Sequence, residues 1–257
     1  MKFFASLFLV FVCSLAQAQL RYTKLVLQPK QVFSFGTSDI LVVDTLIMMD
    51  SSSLVLNKSK KENYLHAKVM RIGKNCFIDG NGNNGNAGRP GSAGSSSFGP
   101  CRNGTNGEDA TKGEDGAHGI DLLIYSKDIL ISGQLTVLLA GGNGGNGGHG
   151  GEGGSAGSGT IHCKGGDGGN GGKGGDGGVG GNGGKLVVHV PVGYHSMIAP
   201  KIKVNFRGGQ FGKGGRGGYS GAGGLGPKGK SGRNGLQGSD GNDGSLGNYG
   251  TISFADN

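Results

Sequence analysis

Glycine at every third residue, sustained through three long stretches, constrains this chain more than any other feature of its sequence. The first stretch covers residues 82–119, with Gly82, Gly85, Gly88, Gly91 and Gly94, an interruption, and then Gly104, Gly107, Gly113, Gly116 and Gly119. The second, residues 141–184, is mostly Gly-Gly-X. The third, residues 208–250, changes phase near Gly224-Leu225-Gly226-Pro227. Glycine is a poor helix former, and a period of three fits no face of an α-helix. The stretches also lack the apolar content of ordinary strands. An extended left-handed helix with three residues per turn and a rise of about 3.1 Å per residue fits the spacing and aligns the glycines as a bare stripe. Two such chains can approach along their stripes and bond through free backbone groups. Only 6 prolines accompany 61 glycines in 257 residues. Collagen-like chains carry about 15–20% proline, so a collagen triple helix is excluded, and the N–H donors that proline would remove stay in place.

Short segments rich in Val, Ile and Leu separate the glycine stretches: residues 39–49, 54–56, 66–79, 120–139, 185–192, 201–206 and 251–254. In Lys201-Ile202-Lys203-Val204-Asn205-Phe206 the apolar side chains fall on one strand face and the polar ones on the other. Each glycine stretch leaves through an apolar-x-apolar-x-Gly exit: Cys76-Phe77-Ile78-Asp79-Gly80, Val137-Leu138-Leu139-Ala140-Gly141 and Val204-Asn205-Phe206-Arg207-Gly208. Each returns into another apolar segment, so the chain repeats at roughly 60–65 residues, a period of stacked units that cover one another's apolar faces. The expected base is a short parallel β-solenoid. Its first rung, residues 39–56, carries only the polar loop 57–63.

Each glycine stretch is interrupted near its middle, which predicts an antiparallel hairpin of two threefold helices. The expected fold class is therefore an all-β base carrying three antiparallel polyglycine II hairpins, six left-handed helices in two layers. The boundaries read as a leader at 1–18, a β-rich base at 19–80, hairpins at 81–119, 141–184 and 208–250, rungs at 120–140 and 185–207, and a final strand at 251–257. A middle hairpin has neighbours on both sides and needs two bare stripes, which fits the Gly-Gly-X of the second stretch. Cys101 lies 21 residues after Gly80, and Cys163 lies 22 after Gly141. The two reach about the same height at neighbouring tips, so a Cys101–Cys163 disulfide is expected in an oxidising compartment. Cys76 aligns with Val137 and Val204, which predicts a buried, unpaired thiol.

Over residues 80–250 these triplets and hairpin breaks resemble the polyglycine II helix-bundle proteins, among them the snow flea antifreeze protein and the glycine-rich adhesins of phage tail-fibre tips. The resemblance is architectural and implies a bundle of antiparallel helices in layers. It extends neither to a catalytic motif nor to a β-built base.

Lys2, the apolar run from Phe3 to Val12, and Ala16-Gln17-Ala18 read as a secretory leader cleaved after Ala18. The run is 10 residues, against roughly 20 for a membrane span. A secreted or cell-surface protein is expected, with no transmembrane segment. The formal net charge of +8 directs such a chain to anionic surfaces such as polysaccharide or lipid headgroups, although a merely soluble surface would carry the same charge. No specific nucleic-acid partner is expected.

With so much glycine, glycine motifs arise by chance. Gly224-x-x-x-x-Gly229-Lys230-Ser231 spells a phosphate-binding loop, but Gly232, Gly235 and Gly238 follow where that loop needs a helix. Gly80-x-Gly82-x-x-Gly85 and Gly153-x-Ser155-x-Gly157 fail on the same kind of context. Asp167 and Asp176 lack the periodic apolar partner of calcium-binding repeats, and the six histidines show no metal spacing. No carboxylate or basic cluster recurs at one rung position, so neither catalysis, cofactor nor metal is expected. The hairpin tips, residues 95–103, 158–164 and 225–234, are the candidate binding surface. They hold Phe98, Arg102, Ile161, His162, Lys164, Lys228, Lys230 and Arg233, although polar turns that merely close hairpins would look similar. The expected function is an adhesive structural protein. The alternatives are ice binding and a self-assembling matrix subunit that associates through its edge hairpins.

Overall fold

The computed structural model describes residues 19–256; the expected leader lies outside the described residues. Strands β1 (Gln19–Leu27), β3 (Ile40–Met48), β5 (Glu62–Ile72), β7 (Asp121–Ile131), β9 (Lys185–His189) and β11 (Thr251–Ala255) form a six-stranded sheet in that order. Strands β2 (Val32–Ser34), β4 (Ser53–Val55), β6 (Cys76–Asp79), β8 (Leu135–Leu138) and β10 (Ile202–Asn205) form a five-stranded sheet. Neighbours in both sheets are parallel. Alternation explains the core. Leu41, Leu65, Leu122 and Leu186 from the long sheet are fully buried, as are Leu54, Ile78 and Val137 from the short one.

The alternation slips once, at the same place in three strands. The buried positions run Leu41, Val43, then Leu46 and Met48 in β3; Leu65, Ala67, then Met70 and Ile72 in β5; and Ile124, Ser126, then Ile129 and Ile131 in β7. Asp44, Lys68 and Lys127 take the additional position, and Asp44 Oδ1 pairs with Lys68 Nζ at 2.6 Å. A shared slip keeps the ladders in register, because each strand gains one residue at the matching position.

After β9, Pro191 brings no N–H to continue the ladder, and the chain turns into the helix α1 (Val192–Ile198). The helix seats Ile198 in the core and is tied to the long sheet through Asp128. One oxygen of that carboxylate accepts from the Tyr194 hydroxyl at 3.2 Å, and the other accepts from Arg71 Nη2 at 2.6 Å.

The glycine-rich stretches extend from this base as hydrogen-bonded limbs. Outgoing limbs run parallel. Gly82, Gly85 and Gly88 donate to Ala140, Asn143 and Asn146, and Gly144, Gly147 and Gly150 donate to Gln210, Lys213 and Arg216. Returning limbs are joined alike, Gly107 to Asn170 and Gly171 to Leu236, whereas outgoing and returning limbs run antiparallel, as in Gly145 to Glu114 and Gly178 to Gly145. Both glycines of a middle triplet abut backbone: a Cβ on Gly144 would strike the carbonyl of Gly178, and one on Gly145 the carbonyl of Asn86.

These elements correct the expected fold class. In place of an all-β solenoid base with three polyglycine II hairpins, the regular structure is two parallel sheets with one short α-helix among the described residues, an α/β-like arrangement. The glycine stretches hold no strand and no helix beyond the 3₁₀ turn Pro227–Gly229. Their glycine N–H groups bond across to other limbs, one in each triplet or, in the second stretch, both, which builds neither an i→i−4 helix nor a β-ladder.

Several strand boundaries also differ from the sequence reading. Segment 66–79 is two strands, β5 and β6, divided around Gly73, and segment 120–139 is divided into β7 and β8 around Gly133. Strands β1 and β2 precede the first expected rung. The first exit aligns two residues away from the expected register, with Cys76 beside Leu135 and Ile78 beside Val137, whereas Val137 pairs with Val204 as expected. Cys76 is still buried and free, because a shift of two residues preserves the strand face.

Candidate functional site

The glycine limbs bring the three turns together at the end away from the sheets. The amide of Cys101 donates to Ser158 O at 2.9 Å, that of Gly159 to Leu225 O at 2.7 Å, and that of Gly165 to Lys230 O at 2.9 Å. A Cys101–Cys163 disulfide joins the first turn to the second, with Cα atoms 6.1 Å apart. Thr160 Oγ1 sits 3.4 Å from Cys163 Sγ and accepts from the His162 amide at 3.2 Å. The third turn is shaped by Pro227 and by left-handed Lys228 and Gly229, at φ 53° and 77°. Ser231 Oγ accepts from the Gly226 amide across it.

All the sequence-predicted tip residues are solvent-exposed: Phe98, Arg102, Ile161, His162, Lys164, Lys228, Lys230 and Arg233. Phe98 is 97% exposed and Ile161 82%. Leu225, at 78%, completes the set with an apolar residue on the third turn. It is absent from the expected site because it reads as the point where the glycine phase changes. Lys164 Nζ reaches Asp167 Oδ1 at 3.3 Å. Arg102, Lys228 and Lys230 enter no ion pair among the described residues. The Asp167 carboxyl is held below the ordinary aspartate range, first by the Arg233 amide that donates to it and then by Lys164.

Asp167 belongs to a wider pattern. On the limb surfaces, Asn, Asp and His side chains accept backbone N–H groups of the adjacent limb. The Asn170 amide donates to Asn106 Oδ1, and Asn170 Oδ1 accepts from the Leu236 amide, each at 2.8 Å. Asn143 relays in the same way between Asn84 and Gln210, and Asn182 between His118 and Asn248. His149, which looks like a solvated triplet residue in the sequence, accepts the Arg216 amide at its Nδ1 at 2.9 Å. The signal for this relay is the frequency of Asn and Asp after glycine. The partner of each is set only by the alignment of limbs far apart in sequence.

The first and third stretches have a neighbouring stretch on one side only, and their own side chains take up further N–H groups. Glu114 accepts from Asn86, Thr111 from Arg89 and Thr105 from Ser95 in the first. Asp243 accepts from Gly214, and Asp240 from Gly217, in the third. Among the described residues, no group of three or more His, Cys, Asp or Glu is placed to hold a metal ion, and no helix is long and apolar enough to cross a membrane.

No protein-family profile and no curated protein sequence matches this chain. Among solved structures it is similar to the springtail antifreeze protein from Granisotoma rainieri, described as a nine polyproline type II helical bundle. The identity is 26% over 68% of this chain and 95% of that one, with a TM-score of 0.14. At that score the likeness is partial and architectural.

Proposed function

We propose that this chain is an exported, non-enzymatic structural protein that adheres to an anionic surface through the distal turns of its glycine-rich limbs. The observation that carries the reading is the composition of that end. The three turns are bonded to one another and contribute Arg102, Lys164, Lys228, Lys230 and Arg233, with no Asp or Glu within residues 95–103, 158–164 or 225–234. A shared cationic end on a cross-linked support attracts anionic surfaces, and loops on a rigid scaffold are a common seat of binding. Ser95–Thr105 pairing below the first turn and the disulfide above it support the rigidity.

The test is the triple variant Lys228→Ala, Lys230→Ala, Arg233→Ala, assayed for retention on an anionic resin and for melting temperature. Retention should fall and melting should stay near that of the parent chain. Retention equal to the parent's would remove the tips from the reading. No specific observation favours the two other functional classes. The exposed X positions of the second stretch include His149, Glu152, Lys173 and Asp176, a charged and irregular row for an ice face. The side-chain capping of the outer stretches leaves fewer N–H groups to pair between molecules. Freezing hysteresis and concentration-dependent light scattering separate those classes from adhesion.

A further inference from the structure

We infer that the distal end docks on an anionic lipid bilayer, with Phe98, Ile161 and Leu225 entering the interface and the cations of the same turns resting on headgroup phosphates. The inference rests on the tip reading above and commits it to one surface. Each of the three turns holds one large apolar side chain out to solvent, at 97%, 82% and 78% exposure for Phe98, Ile161 and Leu225. None of the three belongs to the hydrophobic core cluster or to the partly buried residues packed on it. The turns need none of them for closure. Their bonds run through backbone, through Thr160 and Ser231, and through the disulfide.

The same turns carry Arg102, Lys228 and Lys230, which enter no ion pair among the described residues, together with Arg233. Exposed apolar side chains on turns that also carry Lys and Arg match the two layers of an anionic membrane face: acyl boundary inside, phosphate outside. A sulfated or carboxylated polysaccharide would use the same cations but gains little from Ile161 and Leu225, which offer neither a ring to stack on a sugar nor a hydrogen bond. The amides that tie Cys101 to Ser158 and Gly159 to Leu225 hold the three apolar residues together, so one contact brings the others to the surface at high effective concentration.

Each apolar side chain that enters the interface should contribute about tenfold in affinity, and each cation about fivefold. The experiment uses the secreted chain with phosphatidylcholine vesicles, mixed phosphatidylcholine–phosphatidylglycerol vesicles and sulfated-polysaccharide beads. The parent should float with the mixed vesicles and not with phosphatidylcholine alone. The variant Phe98→Ser, Ile161→Ser, Leu225→Ser should lose at least about 100-fold in vesicle affinity while its bead retention and melting temperature hold. If the triple variant folds poorly, Phe98→Ser alone should lose about tenfold. The chain has no tryptophan, so Phe98→Trp supplies a single indole reporter whose emission should shift to the blue with mixed vesicles. Bead binding without vesicle binding would overturn the lipid assignment and leave the anionic-surface reading standing. Binding to neither would overturn both. Vesicle binding that survives the triple serine change, or an unshifted emission from the Phe98→Trp variant, would refute insertion.

Discussion

Replacing Gly172 by alanine adds one methyl group where the second stretch meets the first. That methyl would point at the carbonyl of Glu108 and the amide nitrogen of Asp109, backbone atoms that no rotamer change can move aside. Three hydrogen bonds bracket the contact: Gly107 to Asn170 O at 2.8 Å, Ala110 to Lys173 O at 2.9 Å, and the Lys173 amide to Asp109 Oδ1 at 2.6 Å. Separating the limbs enough to seat the methyl weakens all three, at about 1 kcal/mol each. The less flexible unfolded chain returns about 0.4–1 kcal/mol, which leaves a net loss of roughly 2–3 kcal/mol. For a chain of this length that corresponds to a melting temperature lower by about 5–10 °C. The control is the next residue. Lys173 is exposed and its bonds here are backbone ones, so Lys173→Ala should stay within about 0.5 kcal/mol of the parent. Calorimetry or urea unfolding of the two variants beside the parent decides the matter. If Gly172→Ala melts with the parent, or if both variants lose the same amount, the close approach of limbs is not what holds this region together.

Further outcomes follow from the same contacts. The disulfide spans a sequence separation of 62, so Cys101→Ser with Cys163→Ser should cost up to about 4 kcal/mol of unfolded-state entropy. Peptide mapping of the oxidised chain should find Cys76 unmodified until denaturant is added; a bridged Cys76 would contradict its burial. Amides of Gly145, Gly148, Gly175 and Gly178 each donate to another limb and should exchange slowly with deuterium, and fast exchange through this stretch would mean the limbs are not bonded to one another. Asp115 and Asp167 are held below the ordinary aspartate range, first by the amides of Val179 and Arg233 and then by Lys112 and Lys164. Their stabilisation is complete above the unfolded aspartate range and is lost as pH falls through the depressed folded values. Carboxyl-carbon titration should place both below the aspartates of the unfolded chain; midpoints at or above those would show that the amide bonds do not form.

Much of this protein is legible from local chemistry. A triplet of glycines excludes helix and strand wherever it occurs, and alternation in residues 39–49 or 201–206 marks a strand without reference to any partner. The Cys101–Cys163 bridge follows from counting residues along limbs of equal rise. Other features needed the tertiary structure, for one recurring reason: they depend on which distant backbone lies alongside. A strand face repeats every two residues, so Cys76 would keep its face opposite either Val137 or Leu135, and the pairing of β6 with β8 sets it opposite Leu135. Strand β1 has one face of mixed polarity and gains its place by pairing with β3. Helix α1 lies in the expected rung 185–207, between its two apolar segments, and it forms because Pro191 stops the ladder while Ile198 and Tyr194 find the core and Asp128. Asn170 and His149 look like surface residues in any local window. They become acceptors for Leu236 and Arg216 because the limbs align those amides beside them, and that alignment is a property of the folded chain alone.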